Sequence, residues 1–161
     1  MQTRILTFFL TLLFLCAWPS CGRRSAPPES CHFGIYFLDK EEQKDVWRYG
    51  YSLIDLDKLK TEPNSFVTEV DIKSFSQGKI TLKKEIALPH WPISATGLYF
   101  VVVIDNKREF LGCFLPLYSS IGPDEETTQV LSERIKEIKI PQHCVRVNNY
   151  LKTLCKKEKY R

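Results

Sequence analysis

Serine, histidine and aspartate residues of the kinds that form a nucleophilic triad occur in the chain, but no motif joins them. The candidates are Ser119 or Ser120 as nucleophile, His90 or His143 as base, and Asp105 as the group that orients the base. The chain lacks the Gly-x-Ser-x-Gly turn that exposes the serine of many hydrolases. Polar serines that end a strand explain the pair more economically. We therefore predict no catalytic residue and no enzymatic activity.

Candidate metal ligands are equally scattered. The Cys-His pair at 31–32 and the His-Cys pair at 143–144 offer four ligands that suit zinc, but they lack the usual Cys-x-x-Cys spacing. Residues 55–60 begin with two aspartates like a calcium loop, yet leucine and lysine stand where that loop needs a ligand and a glycine. No glycine-rich phosphate loop occurs. The sequence predicts no metal site and no cofactor.

The first 20 residues have the pattern of a signal peptide. Arg4 precedes an uncharged run of fourteen residues, Ile5 to Trp18. A transmembrane helix needs about 20 apolar residues, whereas this length is typical of a signal-peptide core. We therefore predict that residues 1–20 direct export and are removed.

Cys21 is the predicted site of lipidation. The segment Pro19-Ser20-Cys21-Gly22 resembles the lipoprotein box of bacterial proteins, although Trp18 replaces the leucine usual three residues before the cysteine. Residues 21–30 are then a lipid-anchored tether, polar and rich in proline. Its eight residues 22–29 span at most roughly 25–30 Å. The alternative is cleavage after Gly22, which releases a free protein.

Residues 31–161 are predicted to be a single β-rich globular domain with a short basic tail. It holds the four cysteines left after the leader and the anchor, an even number compatible with two disulfides in an exported protein. They are Cys31, Cys113, Cys144 and Cys155. A single helix over 144–155 would place the last two about 16 Å apart, too far for a disulfide. Each is therefore expected to pair with one of the other two cysteines, or all four are buried thiols.

Alternating and continuous apolar runs predict about six strands. The clearest is Leu98–Ile104, LYFVVVI, which reads as a central strand buried on both faces. A turn at Asp105-Asn106 leads into a partner strand over 109–115, which Pro116 ends. Further strands are predicted at 33–38, 47–56 and 79–88, and residues 66–75 fit either a short helix or a strand.

Two segments have the spacing of helices. Residues 124–138 place acidic residues ahead of apolar residues at steps of three and four, although 135–140 also fits a strand. Residues 145–154 place Val147, Leu151 and Leu154 on one helical face. The predicted fold class is a β-dominated α+β domain, an antiparallel sheet or β-sandwich with one or two C-terminal helices.

Charge and aromatic content point to a surface rather than to a reaction. The formal net charge of +4 is mild, whereas a nucleic-acid-binding domain concentrates basic residues on one face. The basic tail, 152–161, fits a solvated helix end, with contact to anionic lipid or polysaccharide as the alternative. A carbohydrate- or peptide-binding surface of aromatic side chains competes with core packing. Its candidate residues are Trp47, Tyr49, Tyr51 and Trp91.

Residues 100–120 resemble a pattern in uncharacterised bacterial secreted and lipoprotein domains. In that pattern a Val-rich strand leads through a turn to Arg-x-x-Leu-Gly-x-Phe and then to a pair of serines. The matching residues are Val101, Val102, Val103, Arg108, Leu111, Gly112, Phe114, Ser119 and Ser120. Residues 68–72 and 80–82 are similar to the same domains. The resemblance implies an exported domain and no particular chemistry.

The sequence thus predicts a membrane-anchored lipoprotein of the bacterial cell envelope with a non-catalytic binding or scaffolding domain. Its expected partners are the membrane, through the lipid anchor, and another envelope protein or glycan, with no nucleic acid. The alternative is a freely secreted, disulfide-stabilised extracellular ligand or inhibitor. A third hypothesis is an exported hydrolase using Ser119 or Ser120.

Overall fold

The computed structural model describes residues 32–49, 54–89, 91–124 and 126–158. It confirms the predicted β-dominated α+β class, with two sheets and a C-terminal helix. The predicted signal peptide, Cys21 and its tether lie outside the described residues, as do Cys31, Tyr51, His90 and the last residues of the basic tail.

Eight strands and two helices make up the described part of the chain. The strands are β1 (Phe33–Phe37), β2 (Val67–Thr68), β3 (Ile72–Ser76), β4 (Lys79–Ala87), β5 (Leu98–Ile104), β6 (Lys107–Pro116), β7 (Thr127–Val130) and β8 (Arg134–Lys139). The helices are α1 (Lys40–Tyr49) and α2 (Val145–Glu158). Two short 3-10 turns lie at Leu56–Lys58 and Glu69–Asp71.

The strands form two sheets that share one core. The larger has the order β2-β1-β5-β6-β7 and the smaller the order β3-β4-β8. Every pairing is antiparallel except that of β6 with β7. The chain crosses between the sheets three times, through Glu69–Asp71, through residues 88–97 and through residues 131–133. Both sheets turn apolar side chains toward the same cluster, as in a β-sandwich.

Strand β5 is buried on both faces, as its sequence predicts. Phe100 and Val102 pack in the main core between the sheets, whereas Tyr99 and Val101 pack in a smaller cluster with Val46 of α1. The alternation follows from the two-residue period of a strand.

The predicted hairpin is also present. Asp105 and Asn106 both have positive φ, the conformation of a tight two-residue hairpin turn, which Asp and Asn tolerate. Strand β6 returns from this turn and ends at Pro116. The strands predicted near 33–38 and 79–88 are confirmed as β1 and β4.

Helix α2 closes one side of the main core. Val147 and Leu151, one turn apart, are fully buried. The Asn148 amide donates hydrogen bonds to the carbonyls of Pro141 and Cys144, both at 2.8 Å, and so fixes the start of the helix. The helix predicted from residue 145 is confirmed.

The helix predicted over 124–138 is wrong, because this segment forms β7 and β8 in different sheets. Val130 and Ile135 face the common core from opposite sides, and the turn between them leaves Leu131 82% exposed. The helical spacing arose because two short strands with a period of two are separated by a three-residue turn. The strand alternative for the end of this segment is the correct one.

The strand predicted at 47–56 is also wrong, at least through Tyr49, where α1 ends. Asp39 caps this helix by accepting hydrogen bonds from the backbone N–H groups of Glu41 and Glu42, at 3.1 and 3.0 Å. Leu56–Lys58 is a 3-10 turn rather than strand. In the ambiguous segment 66–75, both ends are strand, separated by a 3-10 turn.

Candidate functional site

The structure places the candidate triad residues at opposite ends of the β5–β6 hairpin. Asp105 lies in its turn, where its carboxylate contacts His32 Nδ1 at 2.9 Å and Arg146 Nη2 at 3.7 Å. Ser119 follows the far end of β6, and its hydroxyl donates to the Ala95 carbonyl at 2.6 Å. His143 Nε2 lies 3.8 Å from a carboxylate oxygen of Glu126. Ser119 and Asp105 therefore do not meet.

The candidate metal ligands serve other local roles. Among the residues that the structure describes, no three His, Cys, Asp or Glu side chains are placed to hold a metal ion. Asp55 caps the 3-10 turn by accepting from the Asp57 N–H, and it pairs with Lys58 at 3.1 Å. The hydrogen bond from Lys58 and that from the backbone of Asp57 lower the pKa of the Asp55 carboxyl.

Three cysteines lie within the described part of the chain, and no disulfide joins them. Cys113 is buried in the smaller cluster near α1. Cys144 and Cys155 pack against the main core on the other face of the larger sheet. That sheet separates Cys113 from the two cysteines near the C-terminus. A disulfide with Cys31 stays a prediction, since Cys31 lies outside the described residues.

The Cys144 thiol is a poor nucleophile at neutral pH. Burial raises its pKa to about 11, and the nearby carboxylates of Glu126 and Glu109 add to the shift. Since the thiolate is the reactive form, a thiol that is protonated near pH 7 is a weak nucleophile.

One end of the larger sheet, which we call the β1 end, is a polar network around His32, Asp105, Arg146 and Glu109. Arg146 bridges the hairpin and α2, with Nη1 at 2.5 Å from Glu109 and Nη2 near Asp105. The Glu109 side chain is 10% exposed, so this pairing is partly desolvated. The network fixes the first turn of α2 against the β5–β6 turn.

A groove of about 500 Å³ lies beside the β1 end. His32, Val70 and Lys157 contribute to its wall, and Val70 also borders a smaller depression with Lys83 and Lys84. The Tyr150 hydroxyl donates to the Glu69 carboxylate across this groove. Val70 is 73% exposed although it is aliphatic. Val70 is thus an exposed apolar side chain shared by two depressions, each of which holds lysine and one carboxylate, Glu69 or Asp71.

The opposite end of the larger sheet, which we call the loop end, comprises residues 91–97 and 117–121. Leu117 and Ile121 are exposed, and Tyr118 is 61% exposed. The Tyr118 hydroxyl donates to the Ile93 carbonyl at 2.6 Å, so the two loops are tied together, as they also are by Ser119. The loop end presents apolar side chains on a braced backbone.

The aromatic surface predicted from the sequence is not assembled by the residues described. Trp91 packs partly buried against the main core, as the simpler interpretation expected. Nothing is described of the side chains of Trp47, Tyr49 and Tyr51. The exposed aromatic residue of the loop end is instead Tyr118, which sequence reasoning missed because its run, LPLYSS, resembles a buried strand end.

The exposed side chains of the smaller sheet, which we call the basic face, carry an excess of positive charge. Strands β3, β4 and β8 hold seven Lys or Arg residues and two Glu residues, all exposed, whereas the buried residues of these strands are apolar. The cations are Lys73, Lys79, Lys83, Lys84, Arg134, Lys136 and Lys139. The net charge of +5 on these strands exceeds the +4 of the whole chain. The sequence alone does not reveal this grouping, because β8 is some fifty residues from β4 along the chain.

No family model, curated protein or solved structure is detectably similar to this chain. The resemblance of residues 100–120 to bacterial exported domains therefore stays a sequence-based expectation. Within the described ranges, no helix has the length and apolar character needed to cross a membrane.

Proposed function

We propose that this chain is a membrane-anchored lipoprotein of the bacterial cell envelope and that its β-sandwich is a non-catalytic binding or scaffolding module. One observation carries the proposal: the chain enters the domain at the β1 end, and a cluster of exposed apolar residues, Leu117, Tyr118 and Ile121, lies at the loop end. The seven residues of β5 join the two ends and span roughly 23 Å. An anchor before β1 would hold the loop end away from the membrane.

The chemistry of the described residues supports binding rather than catalysis. The Ser119 hydroxyl is committed to a backbone carbonyl at the loop end, while Asp105 and His32 interact at the β1 end. The Cys144 thiol stays protonated near neutral pH because its pKa is raised to about 11. A nucleophile needs an adjacent base or a lowered pKa. Within the described residues, Ser119 donates to a carbonyl rather than to a base, and the pKa of Cys144 is raised rather than lowered.

The loop end has the properties of a protein-binding surface. Clustered exposed apolar side chains on a soluble domain mark interaction sites. The hydrogen bonds from Tyr118 and Ser119 to the 91–97 loop hold Leu117 and Ile121 in place before a partner arrives. A surface that is already ordered loses less conformational entropy on binding. We therefore expect the partner to be another envelope protein that offers an apolar contact.

The anchor is tested by intact-mass and fractionation analysis of bacteria that produce the full chain or its Cys21→Ala variant. We expect the wild-type product to carry a lipid-sized mass on Cys21 and to fractionate with membranes. The variant should lose that mass. An unlipidated wild-type product that begins at Arg23 would contradict the anchor and support the freely secreted ligand or inhibitor.

The binding surface is tested by placing a photo-crosslinking amino acid at Leu117 in the full chain. The matched control carries the same amino acid at Gln129, which is exposed on β7. We expect a discrete protein adduct from position 117, absent from position 129 and lost when Ile121→Asp is added. An adduct with a glycan in place of a protein would correct the partner class. Equal adducts from both positions, or no adduct, would contradict a binding role for the loop end.

A further inference from the structure

We propose that the basic face, with Val70 at its margin, docks on the anionic lipid surface of the membrane that carries the anchor. The inference rests on the proposed lipoprotein function for the position of the tether. It adds a second, electrostatic contact that would set how the domain lies on the bilayer.

The distribution of charge supports an anionic partner for this face. Strands β3, β4 and β8 hold seven exposed cations against two exposed carboxylates. On α1 the charges are mixed, with Glu41 and Glu42 in the first turn followed by Lys44. Each cation near an anionic bilayer is worth about 1 kcal/mol, equal to roughly a fivefold gain in binding.

The register of the smaller sheet brings two cations face to face. Lys79 of β4 pairs directly with Lys139 of β8, and like charges at directly opposite positions destabilise a sheet. Glu137 accepts from Lys79 at 3.3 Å, and the Asp124 carbonyl accepts from Lys139 at 3.4 Å. An anionic surface above the pair would relieve the repulsion that remains.

Val70 gives the face an apolar contact at its edge. It is 73% exposed on the 3-10 turn, between Glu69 and Asp71, and shares a depression of about 220 Å³ with Asp71, Lys83 and Lys84. An aliphatic side chain beside lysines is suited to the boundary between lipid headgroups and acyl chains. A soluble polyanion offers no apolar region for an exposed valine to contact, so the combination of valine and lysines favours a lipid surface.

The same valine lies next to the start of the domain. Val70 and His32 line one groove, and His32 is the first described residue after the predicted tether. Because residues 22–29 span at most roughly 25–30 Å, a lipid on Cys21 would keep this margin close to the bilayer. The local concentration of headgroups near the basic face would then be high.

The test is lysine acetylation, read by mass spectrometry, of the exported product purified from cells that make the full chain. The protein is mixed with phosphatidylcholine vesicles that contain or lack about 30 mol % phosphatidylglycerol. We expect Lys73, Lys84 and Lys139 to react severalfold more slowly on the anionic vesicles, with recovery at about 0.5 M salt. Lys40 and Lys60, which belong to α1 and the following segment, should react at an unchanged rate.

A charge-matched pair of variants separates this face from a general effect of net charge. Lys73→Glu with Lys84→Glu should abolish most of the protection at Lys139. Lys40→Glu with Lys60→Glu changes the net charge equally and should leave it intact. All four residues are exposed, so both variants should keep the wild-type unfolding midpoint.

The mass of the N-terminal peptide, measured on the same sample, reports lipidation separately from docking. A lipidated protein whose basic-face lysines react equally on both vesicles would overturn docking and leave the anchor standing. Protection of the basic-face lysines in a protein without a lipid would contradict the anchor and still support docking of the basic face. Protection by dextran sulfate but not by anionic vesicles would assign the face to a soluble polyanion and overturn the proposal.

Discussion

The β1 end and the loop end of the larger sheet are built from different interactions. At the β1 end, polar side chains from β6, α2, the hairpin turn and His32, which precedes β1, converge, with Arg146 joining Asp105 and Glu109. At the loop end, the cross-loop contacts are two hydroxyl donors on backbone carbonyls, from Tyr118 and Ser119, beside exposed apolar side chains. Ion pairs weaken with salt, whereas neutral hydrogen bonds do so much less.

This difference suits the two proposed contacts. The β1 end adjoins the basic face and would lie toward an anionic membrane, and the loop end would meet a protein. Both ends nevertheless rest on the same strands, because β5 and β6 run from one to the other. A substitution in this shared core should therefore affect both ends, whereas a substitution at one end should affect that end alone.

The largest expected effect comes from Phe100→Ala in the shared core. Phe100 is fully buried and packs against Phe114 with the rings tilted by 35° and their centroids 4.7 Å apart. Truncating a buried phenylalanine costs about 3–5 kcal/mol because it removes apolar contact and leaves a cavity. Urea unfolding should show this loss, with hydrogen exchange accelerated at both ends. Val70→Ala, at an exposed position, should change the unfolding free energy by about 0.5 kcal/mol or less.

The shared core is also the part of the fold that the sequence predicts best. LYFVVVI predicts a strand buried on both faces. The partner strand begins after the turn at Asp105-Asn106 and ends at Pro116. Helix α1 escaped prediction because Trp47 and Tyr49 suggested a strand, although Asp39 followed by Glu41 and Glu42 is a helix-start signal. Residues 124–138 failed because apolar spacing cannot separate one helix from two short strands around a turn.

A change confined to the β1 side of the molecule is Asn148→Ala. The buried amide of Asn148 donates to two carbonyls before α2. The variant removes these two bonds, although the backbone N–H groups of Cys144 and Asn148 still donate to the same carbonyls. Each lost hydrogen bond costs about 0.5–1.5 kcal/mol. Asn149→Ala, one residue on and exposed, is the matched control and should be near neutral. Equal losses in the two variants would show that the buried amide does not set the effect, since replacing Asn by Ala raises helix propensity at both positions.

Tyr118→Phe should act on the loop end alone. It removes the hydrogen bond to the Ile93 carbonyl, a loss of about 0.5–1.5 kcal/mol. Hydrogen exchange should quicken in residues 93–97 and stay unchanged in α2. Ser120→Ala, in the same exposed loop, is the control expected to leave exchange as it is. Faster exchange throughout the sheet would mean that the two ends are energetically coupled.

The candidate surfaces were less predictable than the fold because they join residues that are distant in sequence. The basic face needs β3, β4 and β8 side by side, and β8 itself was expected to be mainly helix. Val70 reads as a core residue, since nothing in its neighbours reveals the 3-10 turn that exposes it. By contrast, the separation of Ser119 from Asp105 was expected from the missing nucleophile motif.

The effect that is smallest at neutral pH concerns the thiol of Cys144 at the start of α2. Its folded pKa, about 11, exceeds the ordinary value of 9.0, so the native state favours the protonated thiol. The stability that this shift contributes is complete below pH 9.0 and is lost as pH rises toward about 11. Wild type should thus lose stability relative to Cys144→Ser between about pH 8 and pH 10.5. The difference between the two urea midpoints checks this, because groups common to both proteins cancel.

A constant difference between those midpoints would mean that the thiol is solvated as in the unfolded chain. Glu126→Gln refines the measurement, because removing that carboxylate should narrow the pH-dependent difference without abolishing it. Burial, the larger cause of the shift, would remain. If the difference instead vanished, the carboxylates and not burial would control Cys144. The charges of the β1 end would then interact along the start of α2 as far as Glu126. The electrostatic network would thus extend further toward the loop end than the ion pairs of Arg146 do.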